Sequence, residues 1–153
     1  MYGFRGRMDE RIDCVRSVTD GRYVYLRNFM PHLSQGQHVE YQFQTPTTRV
    51  WFDLYKSGKA TEAQTIFWRA PKAPEELYDL TSDPDEVKNL AASPQHQEVL
   101  AKFRKAQNQH LAEIRDAARN PVQLEYHHHI DLAYLDGRHQ ALQAGALKYG
   151  ARH

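Results

Sequence analysis

The stretch from Glu75 to Ala91 constrains the fold of this chain most, because nearly every residue in it has a predictable local role. Residues 76–80 form an apolar and aromatic run of the length of a β-strand. The Ser82-Asp83-Pro84 sequence that follows ends the strand and suits a helix start, with Ser82 or Asp83 as the N-cap and Pro84 at the first helical position. The stretch therefore predicts a strand, a turn and a helix of about one or two turns.

The same stretch carries a recognisable motif. Residues 76–91 read E-L-Y-D-L-x-x-D-P-x-E-x-x-N-L-A, which resembles the C-terminal signature of the sulfatase family, the hydrolases of sulfate esters and sulfamates. The segments Phe4–Arg11 and Arg22–Phe29 are similar to the part of bacterial, heparan N-sulfatase-like enzymes that leads into their C-terminal subdomain. The resemblance covers roughly residues 1–118. It implies a sulfatase C-terminal-like subdomain at 1–119, followed by a divergent tail at 120–153 that is partly helical or disordered.

Two strands at 12–18 and 22–28 are predicted to form a hairpin, because Asp20-Gly21 is a strong two-residue turn signal. With that turn as the loop, Val18 would lie opposite Tyr23. Both faces of such a hairpin carry apolar side chains, so we expect each face to be covered by another part of the protein. A third strand is predicted at 76–80, and the pattern leaves room for a fourth.

A long amphipathic helix is predicted over 94–118. Its apolar stripe recurs at three- and four-residue steps and comprises Leu100, Phe103, Gln107, Leu111, Ile114 and Ala118. Shorter helices are predicted between the strands, one ending near Lys56 and one starting from the capping-box sequence Thr61–Gln64. The predicted fold class is α+β, a small antiparallel sheet packed against the long C-terminal helix.

The composition excludes several functional classes. The chain has 153 residues, 41% of them hydrophobic and 25% charged, with a net charge of +1, which is typical of one soluble domain and gives no case for nucleic-acid binding. No apolar run is long enough to span a membrane, and residues 1–7 lack the apolar core of a signal peptide. We therefore expect the chain as given to be cytoplasmic. For a full-length parent the location stays open.

Six residues are candidates for substrate binding. The lead-in, residues 1–11, is rich in Arg and Gly and is predicted to be an exposed loop, and residues 30–46 are predicted to form a long irregular loop. In sulfatases the matching regions lie near the active site, and a guanidinium suits the geometry of an anionic group. The resemblance thus implies a substrate-binding role for Arg5, Arg7, Glu10, Arg11, His32 and His38. The alternatives are ordinary surface ion pairs for the first four residues and ordinary surface histidines for the last two.

The sequence supplies no catalytic residue. A sulfatase needs a cysteine in a C-x-P-x-R context, matured to formylglycine, and a calcium ion. Cys14 is followed by Val15-Arg16-Ser17-Val18 and fails that test, and it is expected to be a buried structural thiol. The carboxylates at Asp83, Asp85 and Glu86 are explained by helix capping. We expect no cofactor in this chain and no sulfatase activity from it alone, while the family's catalytic domain uses calcium and formylglycine.

The three consecutive histidines His127–His129 do not predict a metal site. Neighbouring residues on a helix or a strand point in different directions, so one ion cannot easily use all three. No metal site is predicted elsewhere in the chain.

Two functional hypotheses follow. In the first, the chain is the C-terminal portion of a sulfatase-type hydrolase, braces the catalytic domain in cis or in trans, and meets a sulfated substrate only together with that domain. In the second, it is a stand-alone binding or scaffold module without enzymatic activity. The long helix can cover only one face of the hairpin, so we expect an exposed apolar patch that binds the catalytic domain or leads to self-association.

Overall fold

The computed structural model describes residues 1–119. It contains one sheet of four antiparallel strands in the order β1-β2-β3-β4, four α-helices and two 3-10 turns. The strands are β1 (Tyr2–Arg5), β2 (Val15–Thr19), β3 (Tyr23–Asn28) and β4 (Glu75–Asp79). The helices are α1 (Glu40–Phe43), α2 (Pro46–Lys56), α3 (Glu62–Ile66) and α4 (Gln97–Glu113). The predicted α+β class is confirmed.

The hairpin of β2 and β3 forms as predicted, but its register differs by two residues. Val18 lies opposite Tyr25, and the loop is Gly21-Arg22 instead of Asp20-Gly21. Gly21 has φ +97°, as a glycine at the first central position of a tight hairpin turn requires, and the Asp20 carboxylate accepts hydrogen bonds from the backbone N–H groups of Arg22 and Tyr23. Because the shift is an even number of residues, every side chain stays on its predicted face.

The prediction of a loop over residues 1–11 was wrong for its first part. Tyr2–Arg5 is an edge strand, paired antiparallel to β2 with Gly3 opposite Ser17. A Cβ atom on Gly3 would lie 2.7 Å from the Ser17 Oγ, so a larger residue here would force the Ser17 side chain to move. Tyr2 also stacks on His110 of α4, with ring centroids 3.8 Å apart. Pairing with β2 and contact with α4 therefore order a short segment whose strand propensity Gly3 weakens.

The core lies between α4 and one face of the sheet. Its central cluster consists of Val18, Tyr25 and Leu77 from the sheet and Leu100 and Phe103 from the helix, all of them buried. The apolar stripe of the helix is thus confirmed over most of its length, although the helix is shorter than predicted.

The helix α4 itself ends at Glu113, not at 118, and Pro94–His96 ahead of it form a 3-10 turn. Ile114, predicted to be in the core, is 54% exposed, because it lies past the helix end and just before Arg115, whose φ is +53°.

The short helix predicted directly after β4 is absent from residues 82–91. Residues Asp83–Glu86 form a turn, with the Glu86 N–H bonded to the Asp83 carbonyl, and Glu86 has φ +54°, which prevents a right-handed helix from continuing. The Asp83 side chain still acts as a cap, accepting hydrogen bonds from the backbone N–H groups of Val87 and Lys88 at 3.1 and 2.7 Å. The capping chemistry was predicted correctly, but it stabilises a turn.

The second face of the sheet is partly covered by residues 31–73. The capping box predicted at Thr61 and Gln64 is present at the start of α3. Aromatic side chains from this region contact one another edge-to-face or stacked, among them Trp51, Phe52, Phe67 and Trp68. Trp68 alone of these four is buried, and the other three are half-buried.

The chain divides into two compact units, residues 1–114 and 115–153. Of the second unit only residues 115–119 are described, and they contain the 3-10 turn Ala117–Arg119. The predicted tail at 120–153 and its histidines His127–His129 lie outside the described residues. Within residues 1–119, none of the helices has the length and apolar character needed to cross a membrane.

Candidate functional site

The lead-in brings two arginines together beside the start of β2. Arg5 is the last residue of β1, and a tight turn from Met8 to Arg11, closed by backbone hydrogen bonds of 2.9 and 3.0 Å, returns the chain. Asp9 has φ +53° in this turn. Arg5 and Arg11, both half-buried, are close enough for their charges to interact. We call them the arginine pair.

A buried ion pair lies next to the arginine pair. The Lys72 Nζ donates to both carboxylate oxygens of Asp13, at 2.7 and 2.5 Å, and the two side chains are 4% and 0% exposed. Asp13 also accepts a hydrogen bond from the backbone N–H of Cys14. Such a pair is held in place by its surroundings, and removing either partner would leave an uncompensated buried charge.

The loop that follows β3 is fastened to the lead-in. The Gln37 side chain accepts from the Ile12 N–H at 3.1 Å and donates to the Ile12 carbonyl at 2.6 Å. One Nη of Arg5 donates to the Gln35 carbonyl at 3.2 Å. Three side-chain hydrogen bonds thus join this loop to Arg5 and Ile12. The Lys72 backbone N–H also donates to the Pro31 carbonyl, which attaches the loop to the segment that carries the buried ion pair.

Electrostatics at the arginine pair are unfavourable. Burial lowers the pKa of the Arg5 guanidinium below its usual value, the nearby charge of Arg11 lowers this pKa further, and Asp13 opposes the shift. An arginine in a protein nevertheless stays protonated. Two positive charges are therefore held close together in a partly desolvated place.

Three of the other four candidate residues are exposed. Arg7 and His32 are exposed and Glu10 is half-buried. The His38 Nε2 lies 3.3 Å from the Glu40 Oε2, and its ring stacks on Phe43 at 4.5 Å between centroids, so this histidine has an ordinary surface environment. The structure thus brings Arg5 and Arg11 into one cluster, while a substrate-binding role for any of the six residues stays a prediction.

A cavity of about 460 Å³ lies on the second face of the sheet, with Arg5 in its wall. The sheet contributes Val15, Ser17, Leu26 and Tyr78, and the partial cover contributes Trp51 and Phe67. A second hollow of about 320 Å³ shares Gln35, Ile66, Glu76, Tyr78 and Val87 with the first. The face that the long helix leaves free is therefore a cleft with aromatic walls instead of a flat surface.

One end of this cleft is formed by the motif, residues 76–91, and acidic side chains line that end. Glu76 is buried and accepts hydrogen bonds from Asn28 and from the Tyr78 hydroxyl, the latter at 2.7 Å. Partial burial raises the pKa of the Glu86 carboxyl, and the carboxylates of Glu76 and Asp83 raise it further. Burial and the hydrogen bond to Glu76 also raise the pKa of the Tyr78 hydroxyl well above its usual value.

Cys14 is buried, as expected for a structural thiol, although it lies one residue before β2 instead of within a strand. Among residues 1–119, no group of three or more His, Cys, Asp and Glu side chains is arranged to hold a metal ion.

The comparisons with known proteins point to one family. The chain is 37% identical over 115 residues to an ulvan-active sulfatase of Formosa agariphila, a match that covers 75% of this chain and 19% of the relative. Over this stretch the chain is a homologue of the sulfatases. A second ulvan-active sulfatase of the same organism is 30% identical over 106 residues, covering 67% of this chain and 19% of that protein. The resemblance found in the sequence is thereby confirmed, and the chain spans about a fifth of the length of the curated relatives it matches.

A solved structure also matches this sulfatase homologue. It is the crystal structure of a protein assigned as a sulfatase from Bacteroides thetaiotaomicron, 20% identical with a TM-score of 0.45, and the match covers 78% of this chain and 17% of that one. No family model matches the chain.

Several residues at the site were missed by the sequence reasoning. Asp13 and Lys72 are 59 positions apart, and no local pattern pairs them. Gln35 and Gln37 stood in a loop noted only for its histidines. Glu76 was visible as a motif residue, but its bonds to Asn28 and Tyr78 require the sheet to be formed first.

Proposed function

We propose that this chain is the C-terminal portion of a sulfatase-type hydrolase, acting on sulfuric esters or sulfamates, whose catalytic core lies outside these residues. The observation that carries the proposal is the 37% identity over 115 residues to a longer protein, of which the matched stretch forms 19%. In this proposal the subdomain braces the catalytic domain and shapes the substrate cleft.

The architecture of the motif supports the bracing role. Residues 76–91 build β4 and its covered edge, and β4 contributes the fully buried Leu77 to the core cluster that also contains Leu100 and Phe103 of α4. A motif used in this way serves to make a rigid subdomain, which a catalytic domain can pack against. The named residues do not supply chemistry themselves, so a contribution to hydrolysis would come from positioning.

The cleft on the second sheet face supports a docking role. Aromatic side chains such as Trp51, Phe67 and Tyr78 line it, and carboxylates lie at one end. Surfaces that combine aromatic groups and charge in a concave shape are typical of binding sites. We assign the catalytic domain, in cis or in trans, to this face, and self-association of the chain is the outcome expected when that domain is absent.

A chimera tests the proposal. The matched segment of the 37% identical ulvan-active sulfatase would be replaced by residues 1–119 of this chain, and hydrolysis of an aryl sulfate would be measured. We expect an active chimera, an inactive deletion variant without any segment, and an inactive chimera carrying Leu100→Asp, which places a charge in the core. A chimera that folds but is as inactive as the deletion variant would contradict the proposal.

The alternative of a stand-alone module predicts different behaviour. Light scattering on the full chain should then show a monomer at high concentration, and addition of a sulfatase catalytic domain in trans should change nothing. Self-association, or a complex with that domain, would support the proposed docking face.

A further inference from the structure

The cleft on the second face of the sheet carries more negative than positive charge. Three carboxylates line its larger cavity, those of Glu76, Asp85 and Glu86, and among the described residues Arg5 is the one basic residue in this lining. Within residues 1–119, no ion pair joins Glu76 or Glu86 to a basic side chain. The wall of the cavity therefore holds carboxylates without a matching cation.

The adjoining hollow does not supply the missing positive charge. Its two basic side chains are Arg69 and Lys72. Arg69 pairs with Glu62 at 2.5 Å, and the Lys72 ammonium donates to both carboxylate oxygens of Asp13. Both cations are thus already paired, and neither neutralises Glu76, which lines both cavities.

The base of the cleft offers hydrogen-bond acceptors that lack donors. Glu76 is only 5% exposed, and its two oxygens accept hydrogen bonds from neutral groups, the Asn28 amide and the Tyr78 hydroxyl. The Asn28 Nδ2 also donates to the carbonyl of Ala73, a residue of the adjoining hollow, while the buried Asn28 Oδ1 has no partner within residues 1–119. A buried carboxylate without a cation and a buried acceptor without a donor are both unfavourable unless a ligand completes them.

The rim of the same cavity is apolar. Phe4 and Val87 belong to its lining and are 85% and 40% exposed. Trp51 and Phe67, stacked on each other with ring centroids 4.8 Å apart, also line it. A small amine would leave Phe4 and Val87 in water, whereas the surface of a protein would cover them. A charged anchor surrounded by apolar contacts that exclude water is typical of protein–protein interfaces.

Arginine is the basic side chain that fits this lining best. Its planar guanidinium carries five N–H donors, binds carboxylates through two parallel hydrogen bonds and stacks on aromatic rings. The ammonium group of lysine is compact and strongly hydrated, and it lacks the planar surface for stacking. Carboxylates and aromatic rings that line one cavity therefore favour a guanidinium over an ammonium group.

We propose that the acidic end of this cleft, at Glu76 and Glu86, binds an arginine side chain that projects from an apolar surface of a protein partner. Phe4 and Val87 contact that surface around the arginine. That the partner is the sulfatase catalytic domain rests on the proposed function. The arginine site itself does not.

Peptide titrations of the full-length chain test the site. The probes are three capped tripeptides, leucine-arginine-leucine and the same peptide with citrulline or lysine in the centre, and binding is followed by the backbone amide resonances. Citrulline keeps the shape of arginine without its charge. We expect the arginine peptide to shift the resonances of Tyr78 and Val87 and to bind about tenfold or more tightly than the citrulline peptide. It should also bind more tightly than the lysine peptide.

Two variants and a matched control assign the charge and the rim. Glu86→Gln, a change at an exposed position, should weaken binding of the arginine peptide about tenfold and leave the citrulline peptide unaffected. Glu113→Gln removes an exposed carboxylate at the end of α4 and should change neither affinity. Phe4→Ser should weaken both peptides by the same factor, because the contact it removes is apolar.

Several results would overturn the proposal. They are an arginine peptide that binds no more tightly than the citrulline peptide, a lysine peptide that binds as tightly as the arginine peptide, and equal losses in Glu86→Gln and Glu113→Gln. The location of the shifts in the unchanged chain tests the site even if a variant fails to fold, since shifts confined to α4 would refute it.

The peptide titrations and the chimera test can fail separately. An active chimera together with an arginine peptide that does not bind would refute the arginine site alone. Binding of the arginine peptide together with a folded but inactive chimera would refute the proposed function and leave the arginine site for another protein partner.

Discussion

The Asn89 side chain accepts a hydrogen bond from the Leu77 backbone N–H, with 3.0 Å between Oδ1 and N, on the free edge of β4. The same side chain donates to the Glu75 carbonyl at 3.0 Å, and the Leu90 N–H donates to the Leu77 carbonyl at 2.7 Å. Residues 89 and 90 thus occupy the position of a fifth strand for about one pair of residues. This arrangement blunts an edge that would otherwise pair with another chain.

Asn89→Ala should therefore destabilise the fold. The Leu77 residue is fully buried, so its N–H would lose its partner away from water, at a cost of about 1–3 kcal/mol. Urea denaturation followed by circular dichroism would measure the change. Asn108→Ala, which removes an exposed asparagine that bonds Arg27, should change stability by less than about 0.5 kcal/mol. Equal effects of the two substitutions would contradict the role assigned to Asn89.

Asp83→Ala tests the cap of the turn. The Asp83 carboxylate accepts from two backbone N–H groups, those of Val87 and Lys88, and its loss should cost about 1 kcal/mol. Ser82→Ala removes only a hydroxyl that donates to the Asp79 carbonyl at 3.3 Å, and it should cost less. The melting temperatures of both variants would show which residue is the cap. A larger decrease for Ser82→Ala than for Asp83→Ala would assign the cap to Ser82.

Local sequence signals predicted which strands and turns form better than they predicted how these elements pair with one another. The turn signal at Asp20-Gly21 correctly gave a hairpin, but the loop starts one residue later, where Gly21 adopts positive φ and Asp20 caps the turn. Both choices satisfy the same dipeptide rule, so sequence alone could not decide between them. The motif helix failed for another reason. The Asp83 cap is present, but Asn89 and Leu90 form hydrogen bonds with β4 instead of continuing a helix.

Long-range contacts account for what was missed. The strand Tyr2–Arg5 contains Gly and Arg and is ordered by Ser17 and His110, which are distant in sequence. At the site, Arg5 and Arg11 were named as candidates from their residue type and the family resemblance, and their substrate-binding role stays a prediction. Their closeness comes from the local turn at Met8–Arg11, whereas the neutralisation of Asp13 by Lys72 depends on a segment more than fifty residues further along the chain.

The ion pair of Asp79 and Arg22 should make stability sensitive to acid. The hydrogen bonds from Arg22 at 2.9 Å and from the Thr81 hydroxyl at 2.6 Å hold the pKa of the Asp79 carboxyl well below its usual range. A lowered folded-state pKa stabilises the protein above the unfolded pKa of about 3.9, and this contribution is lost as the pH falls toward the folded value. Asp79→Asn should thus lower the urea midpoint at neutral pH.

The difference between Asp79→Asn and the unchanged chain should narrow as the pH falls below about 4. Denaturation midpoints measured across this range would show it. Arg22→Gln, which keeps the Thr81 bonds, separates the two contributions and should have a smaller effect than Asp79→Asn. A gap that stays constant with pH would mean that Asp79 does not titrate differently in the folded state.

The isolated chain should not hydrolyse an aryl sulfate or a sulfamate. Cys14 is buried and its sequence context lacks the proline and arginine of the maturation motif, so no nucleophile of the sulfatase type is expected. Product release measured by absorbance over long incubation would test this. Turnover that disappears in Cys14→Ser would overturn the expectation, while turnover that persists in this variant would point to a contaminating enzyme.

Glu86→Gln should stabilise the protein at neutral pH. Partial burial and the carboxylates of Glu76 and Asp83 raise the pKa of Glu86, so its charged form is disfavoured in the folded state relative to the unfolded chain. A raised folded-state pKa of a carboxyl lowers stability as the pH rises through the unfolded and then the folded value, and the amide removes this penalty. The gain should be fully present above the folded pKa and vanish below the unfolded pKa of about 4.3.

Glu86→Gly is the matched control, because it also removes the charge but in addition relieves the backbone strain at φ +54°. Urea midpoints of the two variants, measured from acid to neutral pH, separate the two effects. The gain from glutamine should depend on pH, whereas glycine should retain a gain at acid pH that comes from the backbone alone. A glutamine variant less stable than the unchanged chain at neutral pH would show that the Glu86 carboxylate is favourably paired. The carboxylates of Glu76 and Asp83 would then not raise the pKa of Glu86.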